Sequence, residues 1–398
     1  MTTLLTLVSK QVWPQILAVV HLRPQRVILL HSEDSVESKG PAQRLKRFFD
    51  DSALIPPNSA QLALVSDTEF SRIEQQLDEL QLREKLHHDA CLLNITGGNK
   101  LMATAAFRWC ARRSVRAFYL ERRNQVTWFE PRDGDIHTRT EFLDAHLTDQ
   151  LDPVGLLICQ LGSAVVPSRG ERLTLNPAGQ NGRLEDVQSH LKRAFQARDS
   201  RLDFRKWLQI QRERTIEERE GDPLEYAVAV VLLKLGVPRV YRSVELKPTE
   251  AIRFTEGELD LVFNWGGRLW VVDCKDKAAG KLKLDNLKTA LLKEGVNLAK
   301  VEKHLAVLER DLGDKDIKVL REDLQQVAEV GGLLGNALAI RSDELPPQAA
   351  EFVRTHRPHV EVIYKNELVT RLRALLRGNE PASRDSLSEL AAQHNKKP

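Results

Sequence analysis

The chain has 398 residues, enough for two or three domains that each bury a core of their own. Apolar residues make up 42% and charged residues 29%, which is typical of a globular protein and excludes a disordered or fibrous one. The net charge of +3 is nearly neutral for this length, so any affinity for nucleic acid must come from local clusters.

Neither the apolar runs nor the cysteines indicate a membrane or a secreted protein. The longest apolar run, Tyr226 to Leu233, is far shorter than the ~20 residues that a bilayer requires. The N-terminus lacks the basic segment of a signal peptide and reads as a first strand. No two cysteines have the spacing of metal ligands, which disfavours a zinc site or a disulfide framework. We therefore expect a cytoplasmic protein.

Residues 1–148 alternate short β-rich runs with polar, helix-compatible segments, of which Ser71–His88 is the clearest. Most of the runs are almost continuously apolar, as strands buried on both faces are. This pattern predicts a Rossmann-like α/β domain with a parallel sheet, although the Gly-x-Gly-x-x-Gly dinucleotide fingerprint is missing. The predicted strands are Leu4–Val8, Arg26–His31, Leu62–Ser66, Cys91–Ile95 and Val115–Leu120.

Two loops of this domain are candidates for ligand binding. After the fourth strand, a polar Gly-Gly turn runs directly into a helix (Ala103–Ala111), which places backbone N–H groups at the carboxyl edge of the sheet, where anions bind. The loop after the first strand lies at the same edge. An ordinary strand-to-helix turn would also suit Gly-Gly, and Trp13 could equally belong to the core. The candidate residues are Ser9, Gln11, Trp13, Asn94, Thr96, Gly97, Gly98, Asn99 and Lys100.

Residues 149–203 are turn-rich without a clear period and are interpreted as a connector. A second α/β domain is predicted for residues 204–382, followed by a polar, frayed tail at 383–398. Its predicted elements are a helix (Leu224–Leu235), a β-hairpin from Glu258 to Lys275, charged helices to Val330, strands Leu338–Arg341 and Val360–Tyr364, and a helix around Glu367–Leu376.

The hairpin carries the strongest chemical signal in the sequence. Both of its strands alternate apolar and polar residues, and Gly266-Gly267 between them suits a two-residue turn. If Trp265 pairs with Arg268, Asp260 falls opposite Asp273, with Cβ atoms roughly 5 Å apart. Two aspartates so placed repel each other unless a cation lies between them. A divalent ion with oxygen ligands, Mg²⁺ or Mn²⁺, would bridge them.

Lys275 follows Asp273 by two residues and therefore lies on the same face of the strand. Two carboxylates, a metal ion and a lysine are the groups that phosphodiester hydrolysis requires. The alternative is an exposed hairpin with cross-strand ion pairs. That alternative explains the charges but not the two facing aspartates, and a register slip of one residue would remove the argument.

Glu225 is the candidate for a third metal ligand. It begins a predicted helix and lies above an apolar stripe of Val228, Ala229 and Leu232. A carboxylate on such a stripe needs a partner, and a metal ion would serve. A capping arrangement of Asp222 and Glu225 on the first helical turn explains the same residues equally well.

These residues resemble the PD-(D/E)xK nuclease superfamily, with Glu225, Asp260, Asp273 and Lys275 as its site residues. Leu259 replaces the usual proline, and Asp273 stands where glutamate is commoner. The strings LVSKQVWPQIL at 7–17 and NITGGNK at 94–100 resemble the CRISPR-associated Rossmann-fold (CARF) domain. Together the two halves resemble the ancillary nucleases of type III CRISPR systems, over nearly the whole chain.

This resemblance implies a CARF domain followed by a restriction-endonuclease-like domain. It implies a homodimer whose paired CARF domains bind a cyclic oligoadenylate, most commonly cyclic tetra-adenylate, and a metal-dependent endonuclease that this ligand activates in antiviral defence. The alternatives are a constitutive DNA repair or restriction nuclease and a non-enzymatic ligand-responsive regulator. The sequence leaves open DNA against RNA as substrate, the ring size of the activator, whether the sensor degrades it, and the role of the long segment at 280–320.

Overall fold

The computed structural model describes residues 2–121, 125–166, 170–175, 210–212, 222–247, 257–275, 280–308, 310–311, 330, 336–341, 345, 347–356 and 360–377. Three predicted features lie wholly or partly outside these residues: the connector beyond residue 175, the charged helical stretch at 312–329 and the tail at 383–398.

The N-terminal sheet has seven strands within the described residues, in the spatial order β3-β2-β1-β4-β5-β6-β7. Its first five strands are parallel, and the last two are antiparallel. The strands are β1 (Thr3–Leu7), β2 (Arg26–His31), β3 (Ala60–Leu64), β4 (Cys91–Asn94), β5 (Arg116–Leu120), β6 (Gln125–Arg132) and β7 (Asp135–Phe142). The five strands predicted from the sequence are confirmed to within two residues at each end.

The hairpin of β6 and β7 was not predicted, because β7 is mostly exposed and has no apolar alternation. Its turn did carry a signal. Asp133 and Gly134 both have positive φ, 53° and 83°, which is the conformation that Asp-Gly favours in two-residue hairpin turns.

Five helices cover the two faces of this sheet: α1 (Trp13–Leu22), α2 (Gly40–Asp51), α3 (Phe70–Arg83), α4 (Lys100–Arg113) and α5 (Pro153–Leu161). Neighbouring residues of β1 face opposite sides, as the period of two requires. Leu5 packs with residues of α3 and α4, such as Leu77 and Trp109. Leu4 packs in a different core with residues of α1, α2 and α5.

The second sheet has eight strands within the described residues, in the order β10-β9-β11-β12-β13-β14-β15, with β8 beside β11. Strands β13, β14 and β15 are parallel to one another, and the other pairs are antiparallel. The strands are β8 (Val165–Val166), β9 (Glu171–Leu175), β10 (Ile210–Arg212), β11 (Val240–Leu246), β12 (Gly257–Trp265), β13 (Arg268–Lys275), β14 (Asn336–Arg341) and β15 (Val360–Tyr364).

Further helices among the described residues include α6 (Asp222–Lys234), α7 (Gly280–Lys293), α8 (Pro347–His356) and α9 (Leu368–Arg377). Residues of α6 and α9 share one core with β12 and β13, among them Val228, Leu372 and Phe263. None of the helices in the described part of the chain has the length and apolar character that a membrane span requires.

The stretch interpreted as a connector contains regular structure. Residues 153–161 form α5, and β8 and β9 pair with β11 inside the second sheet. These strands are only two and five residues long, too short to show a periodic pattern, and their pairing is long-range. The domain boundaries at 148, 203 and 382 stay a prediction.

One hydrophobic core is common to both sheets. It contains Leu4 and Leu45 from the N-terminal part and Val262 and Val271 from the hairpin. Helix α5 contacts α2 on one side and β8, β11 and β12 on the other. The hairpin is therefore packed directly against the N-terminal part of the chain.

Candidate functional site

The hairpin register predicted from the sequence is confirmed. Strands β12 and β13 pair from Trp265–Arg268 to Leu261–Val272. Gly266 and Gly267 form the turn with φ of 61° and 73°, a conformation that side chains other than glycine rarely adopt. Asp260 and Asp273 are the next residues beyond this last pair.

The sheet is irregular at the level of Asp260. Because Arg242 pairs with Leu261 and Val244 with Leu259, Ser243 lies level with Asp260, and its φ is +55°. Left-handed backbone at a non-glycine residue is uncommon, and it often marks a functional site.

The irregularity changes which core the strands face. Val240 packs with α6, whereas Val244, four residues further along β11, packs in the core that both sheets share. Leu261 and Leu259 on β12 divide between the same two cores. Side chains two or four residues apart in a strand normally lie on the same face of the sheet. The faces to which the side chains point are therefore exchanged at Ser243 in β11 and at Asp260 in β12. The carboxylate of Asp260 accepts a hydrogen bond of 2.6 Å from the backbone N–H of Cys274, which fixes it beside β13.

Asp273 is buried and held by two cations. The Nζ atom of Lys275 lies 2.6 Å from Asp273 Oδ1 and 3.9 Å from Asp260 Oδ2. The Nη1 atom of Arg341 lies 2.6 Å from Asp273 Oδ2. Arg341 ends β14 and is the register partner of Lys275. Sequence reasoning missed Arg341. Its one signal was a charged residue directly after the buried run Ala337–Ile340.

The two aspartates differ in proton affinity. Burial, and next the charge of Asp273, raise the pKa of Asp260 to about 7, although Lys275 and the Cys274 N–H oppose this rise. Burial also favours the neutral form of Asp273, but Arg341 and Lys275 outweigh it and hold the pKa of Asp273 below its ordinary value. Asp260 therefore gains or loses its proton near neutral pH, whereas Asp273 stays ionised there.

Glu225 lies beside this pair but is tied elsewhere. It is 9% exposed on α6, and its Oε2 atom lies 3.2 Å from Nη1 of the buried Arg242. Its charge contributes to the raised pKa of Asp260, so the two carboxylates are near each other. Within the described residues, however, the group of three side chains with ligand atoms all within 4.8 Å of one another is the exposed cluster His87, His88 and Asp89. The structure brings Glu225 to the site without placing it on one ion with Asp260 and Asp273.

The donors nevertheless suit a small divalent cation. Carboxylate oxygens are the ligands that Mg²⁺ and Mn²⁺ prefer. The raised pKa of Asp260 marks the carboxylate whose negative charge burial and the neighbouring Asp273 disfavour. A cation at Asp260 and Asp273 would replace the proton of Asp260.

The candidate ligand loops lie where β1 and β4 are neighbours, the point at which the strand order reverses. Asn94 is fully buried, and its Oδ1 accepts hydrogen bonds from the backbone N–H and the hydroxyl of Thr96, at 3.0 and 2.6 Å. The Thr96 hydroxyl in turn accepts a bond of 2.8 Å from the Leu120 N–H. Both side chains thus hold the loop in shape.

The Gly-Gly turn is packed against the end of β1. A Cβ atom on Gly97 would lie 2.0 Å from the carbonyl oxygen of Leu7, and Gly98 has a φ of +74°. Asn99 caps α4 by accepting a 2.8 Å bond from the Met102 N–H. Asn99 and Lys100 are exposed at the start of that helix, so they are the members of this loop most open to a ligand.

The first loop is clamped between two elements. Gln160 of α5 accepts a 3.1 Å bond from the Val12 N–H and donates a 3.0 Å bond to the Lys10 carbonyl. Ser9 and Gln11 are half-buried here. Trp13 is 6% exposed, and its indole donates a hydrogen bond to the carbonyl of Gly267 in the hairpin turn. Of the two interpretations left open for Trp13, its burial favours the core.

Comparison with known proteins identifies the N-terminal part. Residues 3–140 match the family model of the Card1 CARF domain. This part of the chain is a CARF domain. The CARF domain spans the sheet from β1 into β7, and both candidate ligand loops belong to it. A comparison with curated proteins finds no match.

Three solved structures share the fold of most of the chain. Can2 from Sulfobacillus thermosulfidooxidans, in complex with cyclic tetra-adenylate, has a TM-score of 0.56 and 16% identity over 94% of this chain and 96% of that one. Protein VC1899 from Vibrio cholerae has 0.58 and 12% over 96% and 99%. A type III CRISPR defence DNA nuclease activated by cyclic oligoadenylate has 0.53 and 19% over 90% of this chain and 47% of its own. At such identities the likeness shows the fold, a CARF domain followed by a second α/β unit.

Proposed function

We propose that the protein is a metal-dependent endonuclease of type III CRISPR defence, activated by a cyclic oligoadenylate. The observation that carries the proposal is the pair of carboxylates Asp260 and Asp273, with Lys275 Nζ 2.6 Å from Asp273 Oδ1, in a chain whose residues 3–140 match a CARF domain. Residues 1–148 act as the sensor and 204–382 form a PD-(D/E)xK nuclease domain, whose sheet also includes β8 and β9 from the segment 149–203. The protein acts in the cytoplasm.

Asp260 and Asp273 would hold Mg²⁺ or Mn²⁺, and Glu225 would contribute to the same site. A bound divalent ion acidifies water and polarises a phosphoryl oxygen. Asp260 accepts a hydrogen bond from the Cys274 N–H, and Asp273 forms an ion pair with Arg341. Both carboxylates are therefore ordered before any ion binds. This preorganisation supports a catalytic role for both.

Lys275 is the group that meets the substrate. Its side chain is 42% exposed, whereas Asp273 beside it is 11% exposed, so the ammonium reaches from the buried pair to the surface. From there it orients the attacking water and offsets the negative charge that develops on the phosphoryl oxygens. The substrate is DNA, RNA or both.

The effector is a cyclic oligoadenylate, most simply cyclic tetra-adenylate, bound at the CARF loops. Lys100 and the N-terminus of α4 supply positive charge for phosphates, Ser9, Gln11 and Asn99 supply polar groups, and Thr96 holds the loop in shape. Can2, which shares the fold, was solved with cyclic tetra-adenylate. A ring of four identical units suits a two-fold pocket, so the active form is a homodimer.

The test is a cleavage assay with single- and double-stranded DNA and RNA. Each substrate is incubated with Mg²⁺ or Mn²⁺ and with cyclic tetra-adenylate, cyclic hexa-adenylate or neither. We expect cleavage only when metal and one cyclic nucleotide are both present, and no cleavage by Asp260→Asn.

The other outcomes each identify an alternative. Cleavage without any cyclic nucleotide would overturn the gating and indicate a constitutive nuclease. Binding of cyclic tetra-adenylate without cleavage of any substrate would indicate a non-enzymatic regulator. Sedimentation with and without the ligand tests the homodimer.

A further inference from the structure

The second domain contains a buried ion pair that the metal site does not use directly. Arg242 on β11 is 1% exposed and Glu171 on β9 is fully buried, with Arg242 Nε 2.8 Å from Glu171 Oε2. Arg242 and Glu171 are register partners in adjacent strands. Burying two charges is costly unless geometry and further hydrogen bonds compensate, so such a pair needs an explanation.

The pair is completed by the first turns of α6. Nη1 of Arg242 lies 3.2 Å from Glu225 Oε2. The next residue, Tyr226, places its ring under the guanidinium at 4.4 Å and donates a 2.9 Å hydrogen bond from its hydroxyl to Glu171. One arginine is thus bound by two carboxylates and one aromatic face, and its planar group has a single orientation.

This orientation fixes where Glu225 lies. Arg242 is the register partner of Leu261, the residue after Asp260, so the guanidinium is held one residue from the level of the metal pair. Ser243, which follows Arg242, has the left-handed backbone at which β11 turns over. The side chain of Arg242 therefore points toward α6 while the strand beyond it faces the shared core.

We propose that Arg242, anchored by Glu171, is a positioning residue that sets the Glu225 carboxylate beside Asp260 and Asp273. From that fixed position Glu225 would add a negative charge and a hydrogen-bond acceptor beside a metal ion held by Asp260 and Asp273. This inference rests on the proposed metal-dependent function and concerns a group outside the four residues of the nuclease motif. Partners that orient metal ligands typically change metal affinity by roughly 10–100-fold when mutated.

The test is a double-mutant cycle on Mn²⁺ affinity, measured by calorimetry and by electron paramagnetic resonance of free Mn²⁺. Glu171→Gln keeps the shape of the side chain but removes the negative charge that anchors Arg242, and we expect Mn²⁺ to bind roughly 10-fold more weakly. Glu225→Gln weakens binding as well. Because Glu171 acts through Glu225, the double variant binds no more weakly than Glu225→Gln alone.

Additive losses in the double variant would overturn the proposal, since they would show that Glu171 acts only through its own charge. Tyr226→Phe removes a hydrogen bond to Glu171 without a change in charge and gives a second reading if Glu171→Gln fails to fold. Glu74→Gln is the matched control, because Glu74 is also buried and paired with an arginine, Arg108, but lies in the CARF domain. A wild-type protein that neither binds Mn²⁺ nor cleaves would contradict the proposed function itself, whereas cleavage with additive losses would contradict this inference alone.

Discussion

The indole nitrogen of Trp13 donates a hydrogen bond to the main-chain carbonyl of Gly267, which joins the first loop of the CARF domain to the turn of the hairpin that carries Asp260 and Asp273. Two neighbouring contacts hold the same turn. Asn264 donates to the carbonyl of Thr148, and the Gly266 N–H donates to Asp149 Oδ1 at 2.8 Å. The turn is thus anchored to the N-terminal part of the chain, while the two aspartates lie at the opposite end of the hairpin.

We expect Trp13→Phe to weaken activation by the cyclic nucleotide. The substitution keeps most of the buried ring but leaves the Gly267 carbonyl without its donor, which costs about 1–3 kcal/mol. If this contact transmits the signal, the cleavage rate at saturating cyclic tetra-adenylate falls roughly 5-fold or more, while ligand affinity by calorimetry changes little. Trp109→Phe is the matched control, because Trp109 is fully buried and its indole donates to Asp78 at 2.7 Å, away from the hairpin. An equal fall in the cleavage rate of both variants would show that the Trp13–Gly267 contact does not couple the two sites. A loss of cyclic tetra-adenylate binding in Trp13→Phe would show that Trp13 is part of the effector site.

Asp260→Asn should stabilise the metal-free protein at pH 8 while it abolishes cleavage. The pKa of Asp260 is raised from 3.8 to about 7 in the folded state, so between these pH values the native state binds more protons than the unfolded state. The stability of the metal-free protein therefore falls as pH rises from about 4 to about 7, and the full penalty applies above that pH. Asparagine carries no charge and escapes this penalty, a gain of roughly 2–4 kcal/mol at pH 8 that disappears near pH 4.

Urea unfolding in EDTA at pH 5 and pH 8 measures this effect. Asp78→Asn is a control of opposite sign, because hydrogen bonding to Arg113 lowers the pKa of Asp78 despite its partial burial. Asp78 is stabilising when charged, so its loss should destabilise the protein at pH 8. Destabilisation by Asp260→Asn at pH 8 would show that the pKa of Asp260 is not raised in the folded protein.

Metal binding should depend on pH through the same proton. Below about pH 7 a divalent ion must displace the proton from Asp260. The Mn²⁺ concentration for half-saturation therefore rises about tenfold for each unit by which the pH falls. Calorimetry in buffers of different ionisation enthalpy should detect close to one proton released per Mn²⁺ at pH 6 and almost none at pH 8.5. Proton release that does not change with pH would contradict the displacement of a proton from Asp260 by Mn²⁺.

Lys275→Ala should lose cleavage without losing metal. Removing one preorganised donor from a charged transition state typically lowers the rate by roughly 100–1000-fold. Arg341 still holds Asp273, and the loss of a positive charge next to both carboxylates should leave Mn²⁺ affinity equal or higher. Lys46→Ala, which removes an ion pair with Asp50 on α2, is the control. Weaker Mn²⁺ binding in Lys275→Ala would assign the lysine to metal-site structure instead.

Lys100→Ala should weaken binding of cyclic tetra-adenylate by roughly 10-fold or more, because a charged hydrogen bond contributes about 1.5–3 kcal/mol. Lys100 is exposed at the first position of α4, so the melting temperature should change little. Lys303→Ala, an exposed lysine of the second domain, is the control for net charge. Unchanged affinity in Lys100→Ala would move the effector site away from this loop.

The sequence by itself determined the features that depend on local chemistry. A Gly-Gly turn between two alternating strands fixes the register of the hairpin, because a two-residue turn pairs the residues on either side of it and the side chains repeat every two. The five parallel strands of the CARF domain were readable for a similar reason, since strands buried on both faces are continuously apolar.

The tertiary structure decided which groups surround that hairpin. Arg341 meets Asp273 across 68 positions of sequence and Trp13 meets Gly267 across 254, through strand pairing and packing that no local pattern encodes. Glu171 comes from a five-residue strand in a stretch without a period, yet it anchors Arg242. The hairpin register could be predicted because it follows from a two-residue turn between strands that are adjacent in the sequence. The raised pKa of Asp260, the ion pair of Asp273 with Arg341 and the contact between Trp13 and Gly267 could not be predicted. They depend on groups that only folding brings together.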